Sequence, residues 1–285
     1  APEDIIEIDA ASARGIDEAR ALREAVRFVP MRSPKKVYII DEVHMLTREA
    51  FNALLKTLEE PPEHAIFVLA TTELEKVLDT IVSRTQHFVF HKIAIPDIVR
   101  ELERIAKLEH IAIDDDSLKL IAFFADGALR DAENMLLQIQ SGGSQKITEE
   151  DVRLMLGAPP EKATMEIVEY ALGKESGKML EVFDNVLREG SDPEMIGKLL
   201  LRTFRAIYFL ALDPNTKELL GQEFSSEEIE TFISLLVRVR EKHGTSTAMF
   251  LENALQLLLD ALRTPLDDFI PQLPLELALI KIATS

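Results

Sequence analysis

Two short apolar runs, each ending in polar residues, do most to limit the folds open to this chain. Lys36-Val37-Tyr38-Ile39-Ile40 leads into Asp41-Glu42, and Ala65-Ile66-Phe67-Val68-Leu69-Ala70 leads into Thr71-Thr72. Continuous β-branched and aromatic runs of this length are the pattern of strands buried on both faces. Between them Thr47 caps a segment with Phe51, Leu54, Leu55 and Leu58 at helical spacing, which stops before Pro61-Pro62. Upstream, Ile5-Ile6-Glu7-Ile8 mixes apolar and acidic residues, and residues 17–29 read as a helix halted by Pro30. Phe88-Val89-Phe90 is expected to form a further strand. Strands separated by helices imply a parallel sheet covered on both sides.

From Pro96 onward the periodicity turns helical. Helices fit residues 97–109, 116–125, 129–140 and 149–156, with breaks at Gly127, at Ser141-Gly142-Gly143-Ser144 and at Gly157-Ala158-Pro159-Pro160. About five more helices are expected after residue 160, interrupted at Asp192-Pro193, Asp213-Pro214, His243-Gly244 and across 265–274. The expected class is α/β plus all-α, divided into domains over 1–93, 94–158 and 159–285.

Charge narrows the range of partners. The net charge of −18, from 32 basic and 50 acidic residues, argues against tight DNA binding by the chain alone. One stretch runs against that balance. From Arg14 to Lys36 there are seven basic residues (Arg14, Arg20, Arg23, Arg27, Arg32, Lys35, Lys36) against Asp17, Glu18 and Glu24. No apolar run approaches the ~20 residues of a membrane span. Ala1-Pro2-Glu3-Asp4 does not resemble a signal peptide, and the expected location is cytoplasmic. With no cysteine, disulfides and thiolate metal sites are excluded within these residues. The six histidines lack metal-ligand spacing, and no Ser-His-Asp or Cys-His arrangement suggests covalent catalysis.

The acid pair Asp41-Glu42 carries the clearest chemistry. In P-loop nucleotidases an apolar strand ends in two carboxylates: the first holds Mg²⁺ and the second polarises the water that attacks the γ-phosphate. Open α/β sheets bind ligands at the C-terminal ends of their strands. Taken alone, the pattern equally describes a strand followed by an acidic helix cap. Thr71 and Thr72 would lie at the same sheet edge, where a hydroxyl can bond a phosphate or simply cap the Glu73-Leu74-Glu75 turn. Arg84, in Ile81-Val82-Ser83-Arg84-Thr85, and Arg130, in Gly127-Ala128-Leu129-Arg130-Asp131-Ala132, each read singly as surface or salt-bridge residues. The arginines at 14, 20, 23 and 27 serve either as a solvated helix face or as phosphate contacts.

In order along the chain stand Asp41-Glu42-Val43-His44, the stretch from Phe51 through Pro61-Pro62-Glu63-His64, Leu69-Ala70-Thr71-Thr72, Ser83-Arg84 and Gly127-Ala128-Leu129-Arg130-Asp131. This ordered set resembles the clamp-loader branch of the AAA+ ATPases. Together with Ile6-Glu7-Ile8-Asp9-Ala10-Ala11-Ser12, it is similar to the bacterial gamma/tau family of DNA polymerase III. The resemblance is dense from residue 3 to about 157 and thinner beyond. It implies a truncated AAA+ P-loop-type parallel-sheet domain, a helical lid and a C-terminal helical collar that joins subunits in a pentameric ring. Asp41 and Glu42 would be the Walker B acids, with Asp41 holding Mg²⁺ through ATP. Thr72, with Thr71 as its rival, would be the first γ-phosphate sensor. Arg84 would be the arginine finger reaching a neighbouring subunit, and Arg130 the second sensor. Arg14, Arg20, Arg23 and Arg27 would meet the DNA backbone. Implied partners are the other clamp-loader subunits, the sliding clamp and primer–template DNA, with no membrane.

Two departures from the family pattern stand out. Thr85 sits where the family often has cysteine, which leaves the neighbouring arginine untouched. More important, the 285 residues contain no Gly-rich P-loop ending in Lys-Ser/Thr, and the family's four-cysteine zinc module is missing with it. The expectation is a fragment of an ATP-driven clamp-loader subunit that loads the sliding clamp. The alternatives are a non-hydrolysing, stator-like subunit of the same assembly or an AAA+ branch-migration helicase motor. The retained Asp41-Glu42 disfavours the first. The acidic, helical 158–285 stretch, with 13 basic and 21 acidic residues, disfavours the second.

Overall fold

Strands β1 (Ile5–Asp9), β2 (Lys36–Asp41) and β3 (Ala65–Leu69) run parallel in the order β1-β2-β3. They belong to a computed structural model that describes residues 2–142, 146–264 and 270–285. The register pairs Asp9 with Asp41, Ile8 with Ile40, and Ile40 with Leu69. Side chains alternate across a strand, so this register gathers Ile6, Ile8, Tyr38, Ile40, Phe67 and Leu69 on one face. Helices α1 (Ile16–Ala25) and α2 (Arg48–Glu59) supply the other half of that core, through Ala19 and Leu22 and through Phe51 and Leu54. Tyr38 is fully buried, stacks on Phe67 at 5.4 Å and donates its hydroxyl to the Ala25 carbonyl at 3.0 Å. A buried phenol needs such a partner.

The opposite face of the sheet is open, contrary to the cover expected on both sides. Ile5 is 50% exposed, Ile66 43% and Val68 45%. The reason is topological. Parallel crossovers are right-handed, and two successive steps in the same direction, β1 to β2 and β2 to β3, put both helices on one side. Phe88-Val89-Phe90 corrects the expectation in a second way. Its residues are 68%, 63% and 95% exposed and belong to no strand. Their composition suits a strand, but a strand exists only by pairing, and none of the three described strands pairs with it.

Helix α1 also ends sooner than expected. The N–H groups of Arg27 and Phe28 bond the carbonyls of Glu24 and Ala25, both at 3.2 Å, so the last turn tightens after Ala25. Before β1, Asp4 is 1% exposed and accepts the N–H groups of Met31, Arg32 and Ser33 at 2.7, 2.9 and 2.8 Å. That carboxylate ties the start of β1 to the loop that enters β2. The short helix α3 (Asp79–Val82) completes this part.

The chain divides into two compact units, Ala1–Phe90 and His91–Ser285. Within the second, helices α4 (Ile95–Leu108), α5 (Asp115–Phe124), α6 (Leu129–Ser141) and α7 (Glu149–Leu156) bury Ile98, Leu102, Ile121, Leu136 and Val152 together. Ile98 and Leu102, one turn apart on α4, are fully enclosed; burying each contributes about 1.5–3 kcal/mol. Thr148 and Asp151 form a capping box at the start of α7, and Gly157 ends it at φ 65. Gly127 sits at φ 85, where an added Cβ would lie 2.5 Å from the Cβ of Lys92. Glycine is therefore required immediately before α6.

A second core follows, built from α8 (Glu161–Leu172), α9 (Ser176–Arg188), α10 (Pro193–Leu212), α11 (Lys217–Leu220), α12 (Ser226–His243), α13 (Thr247–Arg263) and α14 (Leu273–Thr284). Phe183, Phe204, Phe232, Leu251 and Leu258 lie at its centre. Helix α10 belongs to both cores: Leu199 packs in the first, and Leu200 and Phe204 in the second. Seven helices rather than about five are described after residue 160, with α11 only four residues long. The expected breaks at Gly143-Ser144 and over 265–269 lie outside the described residues. No described helix is long and apolar enough to cross a membrane.

Candidate functional site

Strand β2 delivers its two acids into a turn that is fixed from both sides. The N–H of Val43 bonds the Ala70 carbonyl, that of Ala70 the Ile40 carbonyl, and that of Ala10 the Asp41 carbonyl, each at 2.9 Å. Glu42 adopts a left-handed backbone, φ 47 and ψ 44. That conformation costs a residue other than glycine about 1–2 kcal/mol. Its N–H donates to Oδ1 of Asp41 at 2.9 Å.

Strand β3 brings two hydroxyls to the same end of the sheet. Oγ1 of Thr72 donates to Oε2 of Glu42 at 3.3 Å. Oγ1 of Thr71 accepts the Glu73 N–H at 3.0 Å and lies 2.9 Å from Nδ1 of His44. That same Nδ1 is 3.3 Å from Oε2 of Glu42, and the His44 side chain is only 7% exposed. The structure therefore brings together Asp41, Glu42, Thr71 and Thr72, all singled out in the sequence, and adds His44. Sequence reasoning placed His44 in the acid-pair motif but assigned it no role. The available signal was its position two residues beyond Glu42, in a short turn that must fold back over the strand end.

Further carboxylates surround the pair. Asp9, opposite Asp41 in the ladder, accepts the Ser12 hydroxyl and the Ala11 N–H, both at 2.7 Å. The Ser12 hydrogen bond, followed by that from Ala11, holds the Asp9 carboxyl below its ordinary range. Glu73 is lowered too, first by its hydrogen bond from Lys76. A site this acidic repels a bare phosphate, so an anion could approach only with a cation between. Among the described residues no group of three or more histidine or acidic side chains is placed to hold a metal unaided. Asp41 is exposed, and a hard carboxylate oxygen of this kind fits Mg²⁺, which usually takes one or two carboxylates with substrate phosphates.

Arg84 contacts Thr80, Ser83 and Glu59, none of them in the acid–hydroxyl cluster. Arg130 is exposed in the first turn of α6, in the second unit. On α1, Arg20 pairs with Asp17 at 3.4 Å, while Nε of Arg23 is buried without a hydrogen-bond partner. Arg27 is exposed just beyond the end of α1, and Arg14 turns back to the Ala11 carbonyl at 2.9 Å.

A family model described as DNA polymerase III, delta subunit, matches residues 3–94. The DNA polymerase III subunit tau of Bacillus subtilis is 42% identical over 217 residues, 76% of this chain and 38% of that protein. The DNA polymerase III subunit gamma of Buchnera aphidicola subsp. Acyrthosiphon pisum is 40% identical over 208 residues, 73% of this chain and 57% of its own length. The chain thus spans less than two thirds of either relative. The Thermotoga maritima RuvB Holliday junction branch migration motor superimposes over 57% of this chain and 58% of its own, at 17% identity and a TM-score of 0.47, too low to bear on function. Over about three quarters of its length the chain is thus close to 40% identical to gamma and tau subunits of DNA polymerase III, and it resembles that type.

Proposed function

We propose that this chain is part of an ATP-driven clamp-loader subunit, which places the sliding clamp on primer–template DNA. The observation that carries the reading is the 3.3 Å contact of Thr72 with Glu42, at the shared C-terminal end of two adjacent parallel strands. Acid and hydroxyl on neighbouring strands are what a site for hydrolysing a phosphoanhydride needs.

In this reading Asp41 would hold Mg²⁺, which would neutralise charge on the nucleotide's phosphates. Glu42 takes a proton from the attacking water as its oxygen bonds the γ-phosphorus and the bond to the β-phosphate oxygen breaks. Thr72 or Thr71 senses the γ-phosphate. Arg130 acts as the second sensor of the same nucleotide, and Arg84 reaches the site of a neighbouring subunit. Arg14, Arg20, Arg23 and Arg27 face the DNA backbone. The domains over 1–93, 94–158 and 159–285 serve as a nucleotide domain, a lid and a collar. The partners are other clamp-loader subunits, the clamp and DNA, in the cytoplasm.

The test is Glu42→Gln in the complete subunit, assembled in its ring. ATP should still bind, and DNA-stimulated hydrolysis should fall by at least about 10²-fold, the lower end for loss of a general base. Unchanged turnover would remove the acid pair from the chemistry.

A further inference from the structure

None of the roles above uses His44, yet its side chain is nearly enclosed at the site. It is 7% exposed, whereas the Glu42 side chain beside it is 35% exposed. We infer that His44 is a positioning residue for Glu42, setting through the 3.3 Å contact of its Nδ1 edge with Oε2 which carboxylate oxygen faces the attacking water. The inference rests on the nucleotidase reading of the acid pair.

The geometry assigns the proton. Nδ1 lies 2.9 Å from Thr71 Oγ1 and 3.3 Å from Glu42 Oε2. A carboxylate oxygen this close to a ring-nitrogen lone pair would be repelled, so Nδ1 carries the hydrogen, which is directed at Thr71 Oγ1 while Oε2 meets the polar edge of the ring. Thr71 cannot drift away, because its oxygen also accepts the Glu73 N–H. The imidazole is therefore oriented by Thr71 and itself orients Glu42.

The consequence for Glu42 follows from its two oxygens. Oε2 receives the Thr72 hydroxyl and lies 3.3 Å from the His44 ring nitrogen, a charge contact outside hydrogen-bond geometry. No hydrogen bond from a described residue reaches Oε1. A hydroxyl donor and the polar edge of a ring against one oxygen favour one orientation of the carboxylate and leave the other oxygen free as the proton acceptor. The backbone contributes as well, since Glu42 is locked in its left-handed turn by the Val43 and Ala70 bonds. Without His44 the remaining freedom is rotation of the side chain about a single hydroxyl contact.

Three substitutions in the complete subunit, assembled in its ring and assayed with ATP and primed DNA, test this. His44→Phe keeps the ring volume and removes the donor. His44→Asn places an N–H near the position of Nδ1, and His44→Gln places one nearer Nε2. For His44→Phe the expected result is a kcat lower by about 10–100-fold, the scale of a misplaced catalytic group, with ATP affinity unchanged within about twofold. His44→Asn should recover most of the loss and His44→Gln should not. In a Glu42→Gln background, His44→Phe should cause no further fall, because it acts through Glu42. An unchanged kcat in His44→Phe, or equal losses in the Asn and Gln variants, overturns the inference. Should the Phe variant fail to fold, the Asn–Gln contrast decides alone. Glu42→Gln separates the two levels: if it leaves hydrolysis intact, the nucleotidase reading falls as well; if it abolishes hydrolysis, only the role of His44 is at stake.

Discussion

Arg84 rests against Glu59, its Nε 3.3 Å from Oε1 at the end of α2, and one of its terminal nitrogens donates to the Thr80 carbonyl at 2.7 Å. Both side chains are close to half exposed, so the ion pair is worth no more than about 1 kcal/mol. That is too little to keep the guanidinium from a stronger anionic target. In the complete subunit, Arg84→Ala should cut fast hydrolysis by about 10³-fold or more, as loss of an arginine finger does, while ATP binding stays nearly intact. A subunit with a defective phosphate loop and an intact Arg84 should restore turnover when mixed with the Arg84→Ala subunit. No rescue in rings shown to be assembled would mean that Arg84 works within its own subunit or outside catalysis.

The arginines of α1 predict a salt effect. Arg20 and Arg23 lie three residues apart on the helix, and Arg27 follows four residues later, just past its end. Replacing all three with alanine in the assembled complex should weaken DNA binding equally across sequences. For every phosphate left without its arginine, the slope of log affinity against log salt should become shallower by about 0.9. An intact ring with the original slope would make them a solvated face.

Asp4 predicts an acid-range effect on stability. Hydrogen bonds from the backbone, that of Met31 first, bring its carboxyl from 3.8 down to about 2. A carboxylate lowered on folding stabilises the fold above its ordinary value and loses that contribution as pH falls through its folded value. Asp4→Asn should therefore lower the melting temperature at pH 7, and the gap from the parent should narrow between pH 4 and pH 2. Equal gaps at pH 7 and pH 2, measured by thermal unfolding, would contradict this.

Arg202 predicts a contrast between two substitutions. It is 6% exposed, its guanidinium lies 4.0 Å from the Phe224 ring and 4.9 Å from that of Phe123, and it donates to the Glu223 carbonyl. Burial pushes its pKa down, and Nε has no partner. Arg202→Ala should cost about 3–5 kcal/mol, because it opens a void and takes a positive charge away from Glu223 and Glu228. Arg202→Met, similar in volume and uncharged, should cost less than half of that. Urea unfolding measures both, and equal losses would show that filling the volume is not what matters at this position.

The parts of the fold visible in the sequence are those governed by local pattern. Ile98 and Leu102 mark α4 by their spacing, and Thr47 marks the start of α2. Lys36–Asp41 and Ala65–Leu69 declare themselves as strands. The misreadings concern relations between segments. Ile66 and Val68 look like core residues, but which sheet face is covered depends on crossover handedness and strand order. Phe88 and Phe90 look like a strand but have no partner. At the site, Asp41, Glu42, Thr71 and Thr72 were legible because adjacent parallel strands end together. The approach of His44 to Oε2 was not, since it depends on a left-handed turn at a glutamate, which no local rule predicts. Arg202 was equally hidden, because an arginine on a helix carries no sign of being enclosed by two phenylalanines.

If Glu42 is the general base of the proposed reaction, its backbone sets activity and stability against each other. At φ 47 the residue is one that glycine would occupy more comfortably, and in the proposed function the carboxylate is what the strain is kept for. Glu42→Gly should therefore give a protein that no longer turns over ATP yet melts no lower than the parent, or even higher. Removal of the Thr72 and His44 interactions would be offset by relief of the turn. Most inactivating changes at enclosed positions lower both quantities together. At position 42 a screen for stabilised variants would select for dead ones.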